Sequence, residues 1–179
     1  MAEAIAHRGP DDAGVWCDPA AGLALAHRRL AILDLSPAGH QPMASASGRY
    51  VIAFNGEIYN HRALRRELEG AGLLRRPWRG HSDTETLLAA IEAWGLEATL
   101  QRCVGMAALA LWDRRERVLQ LARDRFGEKP LYWGWLEQAG QPVLAFASEL
   151  TALRGLPAAG TPAVDPQALA AFFRYGCIP

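Results

Sequence analysis

Hydrophobic residues follow two different periods along the chain, and the changes between them mark out its elements. Residues 22–35, GLALAHRRLAILDL, are apolar with basic interruptions and open without a helix cap, which predicts two short strands hinged near His27. In YVIAFNGEIYN, Val51 and Ala53 alternate with Ile52 and Phe54 before Asn55-Gly56, the dipeptide best suited to φ > 0. A strand is therefore expected to end there at a tight corner. The period then lengthens. Asn60 can cap a helix over HRALRRELEGAG, with Leu64 and Leu68 sharing a face at i,i+4 and Gly70 and Gly72 closing it. SDTE reads as a capping box, in which Ser82 accepts from the Glu85 amide and the Glu85 carboxylate reaches back. Leu87, Leu88, Ile91 and Trp94 then make one stripe up to Gly95, and a third short helix, with Leu96 and Leu100 on one side, is expected to reach Gly105.

From Met106 the period returns to two. MAALALW and RVLQLAR flank the polar turn DRRE, and PLYWGW and PVLAFAS flank LEQAGQ, which predicts two β-hairpins and an antiparallel sheet. Asp165-Pro166 is an N-cap followed by proline at the first helical position and launches QALAAFFRYG, after a linker in LPAAGTPAV. Strands, then helices, then strands imply an α+β layered fold. Residues 1–155 read as one domain and 156–179 as a linker with the start of another.

Composition removes several function classes. Lys plus Arg and Asp plus Glu balance at 19 each in 179 residues, so no long-range field recruits nucleic acid or an anionic membrane. Half of the residues are hydrophobic, yet no run approaches the roughly 18 that a spanning helix needs, which points to the cytoplasm. Cys17, Cys103 and Cys177 are odd in number and widely spaced, so neither a disulfide framework nor a zinc site is indicated, and no metal ligand set is expected.

Four polar clusters interrupt the apolar pattern: HRGPDD at 7–12, HRRL at 27–30, NGE at 55–57 and HSD at 81–83. Singly, each has an ordinary structural explanation, such as a loop histidine or a first-turn acid favoured by a helix dipole. Together they suit a free amino acid. Arg28 or Arg29 offers the fork an α-carboxylate wants, Glu57 and Asp83 offer carboxylates to an α-ammonium, and Asn55-Gly56 offers a side-chain amide beside an exposed backbone N–H for an oxyanion. That set describes acyl transfer from an amino acid side chain.

The strings HRGPDDAG, HRRLAILDLSPAGHQPM, FNGEIYNH, GHSDTETLL, ARDRFGEKPLYWGW and FASEL resemble the N-terminal glutaminase domain of bacterial glutamine-hydrolysing asparagine synthetases, a class II glutamine amidotransferase. The resemblance covers almost the whole chain. It implies an N-terminal-nucleophile fold, a four-layer α/β/β/α sandwich of two antiparallel sheets, here lacking its first strand. It also implies that Arg29 holds the glutamine α-carboxylate, that Leu30, Ile32 and Leu33 form a strand lining the pocket, that Asn55 and Gly56 form the oxyanion hole, and that Glu57 and Asp83 face the α-ammonium. RDRFGEKPLY resembles a segment near the junction with the synthetase domain; taken alone it is a hairpin corner with Asp124 and Arg125 pairing locally.

In that family the nucleophile is a cysteine at the mature N-terminus, whose thiol attacks the carboxamide while its own α-amino group moves the proton. Here Ala2 follows Met1, and MAEAIA resembles the last turns of a helix. A chain cut at both ends, inactive alone and poorly stable, is therefore expected. L-glutamine and a C-terminal synthetase domain are the expected partners, a homodimer is left open, and no cofactor is expected in this chain, ATP and Mg²⁺ belonging to the synthetase domain. Two alternatives stand: a degenerate glutamine-binding domain without hydrolysis, and the glutaminase domain of a related amidotransferase with another acceptor.

Overall fold

The computed structural model describes residues 1–156 and 163–176; the middle of the expected 156–164 linker and Cys177 lie outside them. Among the described residues there are eight strands: β1 (Asp12–Asp18), β2 (Leu23–Arg29), β3 (Met43–Ala44), β4 (Tyr50–Ile58), β5 (Gly105–Asp113), β6 (Val118–Arg123), β7 (Tyr132–Gln138) and β8 (Gln141–Ala147). The helices are α1 (His61–Gly70), α2 (Asp83–Trp94), α3 (Leu96–Arg102), α4 (Leu150–Arg154) and α5 (Pro166–Tyr175). The pairings between these strands are antiparallel, and one isolated parallel bridge joins Pro10 to Arg29. One sheet has the order β3-β4-β5-β6, and β1-β2 and β7-β8 are separate hairpins.

The long pair β4/β5 is the spine, because its two faces are buried against different layers. Ile52, Phe54, Leu109 and Leu111 pack with Leu64, Leu87, Leu88 and Ile91 of the helices. Val51, Ala110 and Trp112 pack the opposite way, against Leu25 of β2 with Trp16 and Phe146 alongside. Strand alternation sends successive side chains to these opposite faces. Burying a side chain such as Ile52 or Leu111, both fully enclosed, contributes roughly 1.5–3 kcal/mol each. Both hairpins therefore lie on one face of the four-stranded sheet, and the N-terminal 3-10 turn (Ala2–Arg8) and α4 pack over β2 and β8 in turn. The result is the expected helix, sheet, sheet, helix layering, with the second sheet layer supplied by two hairpins that share no hydrogen bonds.

Local chemistry departs from expectation in several places. Ser82 caps α2 through the Glu85 amide at 3.2 Å, but the Glu85 carboxylate reaches past the cap to the amides of Arg79 and Gly80. Asn60 does not cap α1. Its side chain instead bridges the Arg102 carbonyl and the Val104 amide, tying α3 to the start of α1. The six-residue turn expected at LEQAGQ shrinks to Ala139-Gly140, both at positive φ, so β7 and β8 run on to Gln138 and Gln141. Paired positive φ values match the twist of the strands they join. MAEAIA is 3-10 rather than α-helical, broken at Ile5, and α3 stops at Arg102 rather than reaching Gly105. Asp165 caps α5 as expected, accepting from the amides of Gln167 and Ala168. Asp124 accepts the amides of Glu128 and Lys129 rather than pairing with Arg125.

The cap on α2 positions Asp83, so its loss is measurable. Ser82→Ala should cost about 1 kcal/mol, lowering the thermal midpoint by roughly 2–4 °C in circular dichroism, with Ser82→Asp close to wild type.

Candidate functional site

The site is built on one edge of β4. In a strand, successive backbone groups point to opposite sides, and here odd-numbered residues face β5 while even-numbered ones face away. Four observations set that parity. The Tyr50 carbonyl accepts from Ser45, Ile52 is matched with Met43 of β3, the Phe54 amide donates to Gln41 Oε1 at 2.7 Å, and the Ile58 amide donates to Asp83 Oδ2 at 2.8 Å. Gly56 lies between the last two. Its N–H is therefore aimed at the same open edge, between Gln41 and Asp83, and no described side chain accepts it. The tight corner expected at Asn55-Gly56 does not exist, since β4 continues through both residues, with Gly56 opposite Ala107. Glycine is needed there for closeness: a Cβ would collide with the Met106 carbonyl and the Phe54 ring.

Gln41 went unassigned in the sequence, although GHQPM contains it. Its buried amide substitutes for a neighbouring strand, accepting from the Phe54 amide and donating to the Phe54 carbonyl at 3.1 Å. The same carbonyl is met by His27 Nε2 at 3.0 Å. A carbonyl only accepts, so His27 carries its proton on Nε2, and burial holds the ring below its usual pKa and neutral. Its Nδ1 is buried without a partner among the described residues. The pattern that located HRRL gave no sign of this, because a strand histidine looks the same whichever nitrogen is bonded.

Arg29 ends β2, and its guanidinium donates to the carbonyls of Asp34 and Ser36. Two of five N–H donors are thus spent on fixing the fork over the 34–39 loop. Gly39 permits the approach, since a Cβ there would strike the guanidinium. Leu30, Ile32 and Leu33 are not a strand: β2 stops at Arg29, and the three lie in a loop, 56%, 68% and 41% exposed. Asp34 organises that loop. It is buried and accepts the Ser36 amide at 2.8 Å and the His81 amide at 2.6 Å. Hydrogen bonding from Ser36, backed by His81, lowers its carboxyl to about 2.

Asp83 opens α2 and is buried. Burial pushes its carboxyl up, against the amide hydrogen bonds from Ile58 and Thr84. A carboxylate so desolvated is relieved by a cation placed beside it, which is what an α-ammonium supplies. A cavity of about 550 Å³ joins these groups, within the size range of ligand sites. Arg29, Leu30, Ile32 and Leu33 line one part of it, and Asn55, Gly56, Glu57 and Asp83 another. All eight residues nominated from the sequence therefore meet in one place.

HRGPDD is a buttress. His7 and Arg8 reach Glu149, Asp11 accepts the Ala31 amide, and Asp12 holds His40 Nδ1 at 2.7 Å. Among the described residues no cysteine lines the cavity. Cys17 sits near the end of β1, and burial, with the nearby Asp83 charge, pushes the Cys103 thiol up to about 11. Among the described residues no His, Cys, Asp and Glu cluster suits a metal, and no helix is long and apolar enough to cross a membrane.

Comparison with known proteins gives the family. The model of the glutamine amidotransferase domain matches residues 1–179. The chain belongs to the glutamine amidotransferase domain family. Among relatives, asparagine synthetase [glutamine-hydrolyzing] 1 of Bacillus subtilis strain 168 is 37% identical over 179 residues, all of this chain and 26% of that protein. Asparagine synthetase B [glutamine-hydrolyzing] of Escherichia coli K12 is 40% identical over 86% of this chain and 26% of its own. This amidotransferase domain thus spans about a quarter of the length of the relatives it matches. The glutamine phosphoribosylpyrophosphate amidotransferase of B. subtilis, solved with ADP and GMP, superposes with a TM-score of 0.57 at 25% identity, covering 76% of this chain and 29% of that one. The fold is the N-terminal-nucleophile type.

The lowered carboxyl of Asp34 carries a pH signature. A depressed acid stabilises the folded chain above its ordinary value of 3.8, and that contribution disappears as pH falls towards about 2. Thermal melts between pH 5 and about 2 should show wild type losing stability more steeply than Asp34→Asn, which starts lower at neutral pH. Parallel losses would show that Asp34 does not hold the loop as a carboxylate.

Proposed function

We propose that residues 1–179 form the glutamine site of a glutamine-hydrolysing asparagine synthetase, one that supplies ammonia for ATP-dependent amidation of aspartate in a fused synthetase domain. The observation that carries the reading is the single cavity in which a fixed guanidinium, two carboxylates and the outward Gly56 N–H converge. Arg29 takes the α-carboxylate, Asp83 with Glu57 takes the α-ammonium, and the side-chain carbonyl points its oxygen at the Gly56 N–H with the Asn55 amide beside it. The apolar loop residues Leu30, Ile32 and Leu33 close over the methylenes. Residues 156–179 lead towards the synthetase domain, the whole acts in the cytoplasm, and ATP and Mg²⁺ serve the synthetase domain rather than this one.

Hydrolysis needs a nucleophile, and neither described cysteine lines the cavity. Cys103 stays protonated at neutral pH, and Cys17 lies in a strand away from the cavity with its amine in a peptide bond. That neither Cys17 nor Cys103 lines the cavity supports a second reading, in which these 179 residues bind glutamine without turning it over.

Isothermal calorimetry on the 179-residue polypeptide should detect L-glutamine, with Arg29→Ala and Asp83→Asn each weakening it at least about tenfold, or ~1.4 kcal/mol. Glutamate dehydrogenase-coupled assays should detect no ammonia. Glutamine release of ammonia abolished by changing Cys17, Cys103 or Cys177 would overturn the assignment, as would affinity unaffected by both site variants.

A further inference from the structure

Gln41 borders the glutamine cavity, yet it offers no group that the glutamine reading uses. Its side-chain amide is buried, and both of its N–H groups are spent on protein. Oε1 accepts the Phe54 N–H at 2.7 Å, one Nε2 hydrogen goes to the Phe54 carbonyl at 3.1 Å, and the other goes to Thr84 Oγ1 at 3.4 Å. The partners dictate which end is oxygen, since a flipped amide would set N–H against N–H and carbonyl against carbonyl. Two bonds to one residue fix the plane of the amide. Its remaining N–H is thereby directed at the first turn of α2.

Thr84 is in turn tied to Asp83, whose Oδ1 accepts the Thr84 amide at 3.0 Å while Oδ2 accepts the Ile58 amide at 2.8 Å. The bonds close a frame that runs from Phe54 through Gln41, Thr84 and Asp83 to Ile58 and back along β4. Its two attachment points on the strand are roughly 13 Å apart, at about 3.3 Å per residue, with Gly56 midway between them. β5 holds the other side of the same stretch, pairing with it from Tyr50 to Ile58. The frame therefore sets two things at once, the direction of the Gly56 N–H and its separation from the Asp83 carboxylate. Ser45 makes a comparable bridge from the Tyr50 amide to Glu92 of α2, but it lies away from the cavity.

We infer that Gln41 is a positioning residue that gives the site its preference for a terminal carboxamide over an apolar end of the same length. By bridging β4 and α2 it holds the Gly56 N–H at the distance from Asp83 that a glutamine side chain spans. This rests on the reading of the cavity as a glutamine site and adds the residue that sets its selectivity. A ligand without a carboxamide draws nothing from the Gly56 N–H, so loss of the frame is felt only by ligands that carry one. Sites built around a polar contact discriminate in this way against the analogue that lacks it.

The test compares L-glutamine with L-norvaline by calorimetry on the 179-residue chain. Norvaline keeps the α-ammonium, the α-carboxylate and both methylenes and ends in a methyl group. Thr84→Val is close to isosteric and removes only the hydroxyl that Gln41 reaches, leaving the two bonds to Phe54. It should bind glutamine at least about threefold more weakly than wild type, with norvaline within about twofold, and Thr84→Ser should restore the glutamine affinity. Gln41→Met, which also strips the Phe54 backbone of its partner, should lower the preference for glutamine over norvaline at least about tenfold; if that chain does not fold, the Thr84 pair decides. Ser45→Ala removes the comparable bridge and should lower the thermal midpoint while leaving the preference unchanged. Equal weakening of both ligands by Thr84→Val, no change in either, or the same shift in preference from Ser45→Ala would overturn the inference and leave the glutamine assignment standing. Wild type without measurable affinity for glutamine at about 1 mM would overturn that assignment and this inference with it.

Discussion

The structure depends on how the free edge of β4 is satisfied. Every second residue of that strand turns its amide and carbonyl away from β5, and a buried backbone group without a partner is costly, about 1–3 kcal/mol. Phe54 is met twice, by the side-chain amide of Gln41 and by His27. Ile58 is met by Asp83. Gly56, between them, points its N–H at the same edge with no side-chain partner among the described residues. Side chains thereby complete the edge on both sides of Gly56.

The rest of the architecture holds those side chains still. Asp83 is at the first turn of α2, whose start is secured by Ser82 and whose buried face packs on β4. Asp34 ties the loop after β2 to the His81 segment that precedes α2, so the two arms around the cavity are linked through one carboxylate. Arg29 is oriented by carbonyls of that same loop. The Arg29 and Asp83 side chains on the cavity wall are therefore held by hydrogen bonds to main chain.

Much of this was legible in the sequence, for reasons that can be named. The α2 stripe and the 105–123 hairpin carry a strong period and clear punctuation, and the clusters at 27–30, 55–57 and 81–83 break an apolar pattern where a strand or helix ends. What was not legible depended on partners distant in sequence. Asn55-Gly56 carries a turn signature, yet pairing with Ala108 and Ala107 keeps it in a strand. Glycine is there for clearance, which a local signal does not distinguish from a need for positive φ. Leu30 to Leu33 look like strand continuation by composition, but Asp34 and Arg29 bind each other's surroundings and curl the segment into a loop. Gln41 and His27 were invisible as edge partners because their target, Phe54, is defined only once β4 and β5 are paired.

The most direct test of the account is amide hydrogen exchange, resolved by residue in nitrogen-15 NMR spectra, along β4 with and without L-glutamine. In the free chain Phe54 and Ile58 should be protected and Gly56 should exchange much faster, with Gly56 becoming protected and shifting downfield when glutamine binds. Gly56 protected to the level of its neighbours in the free chain, or unmoved by saturating glutamine, would contradict it.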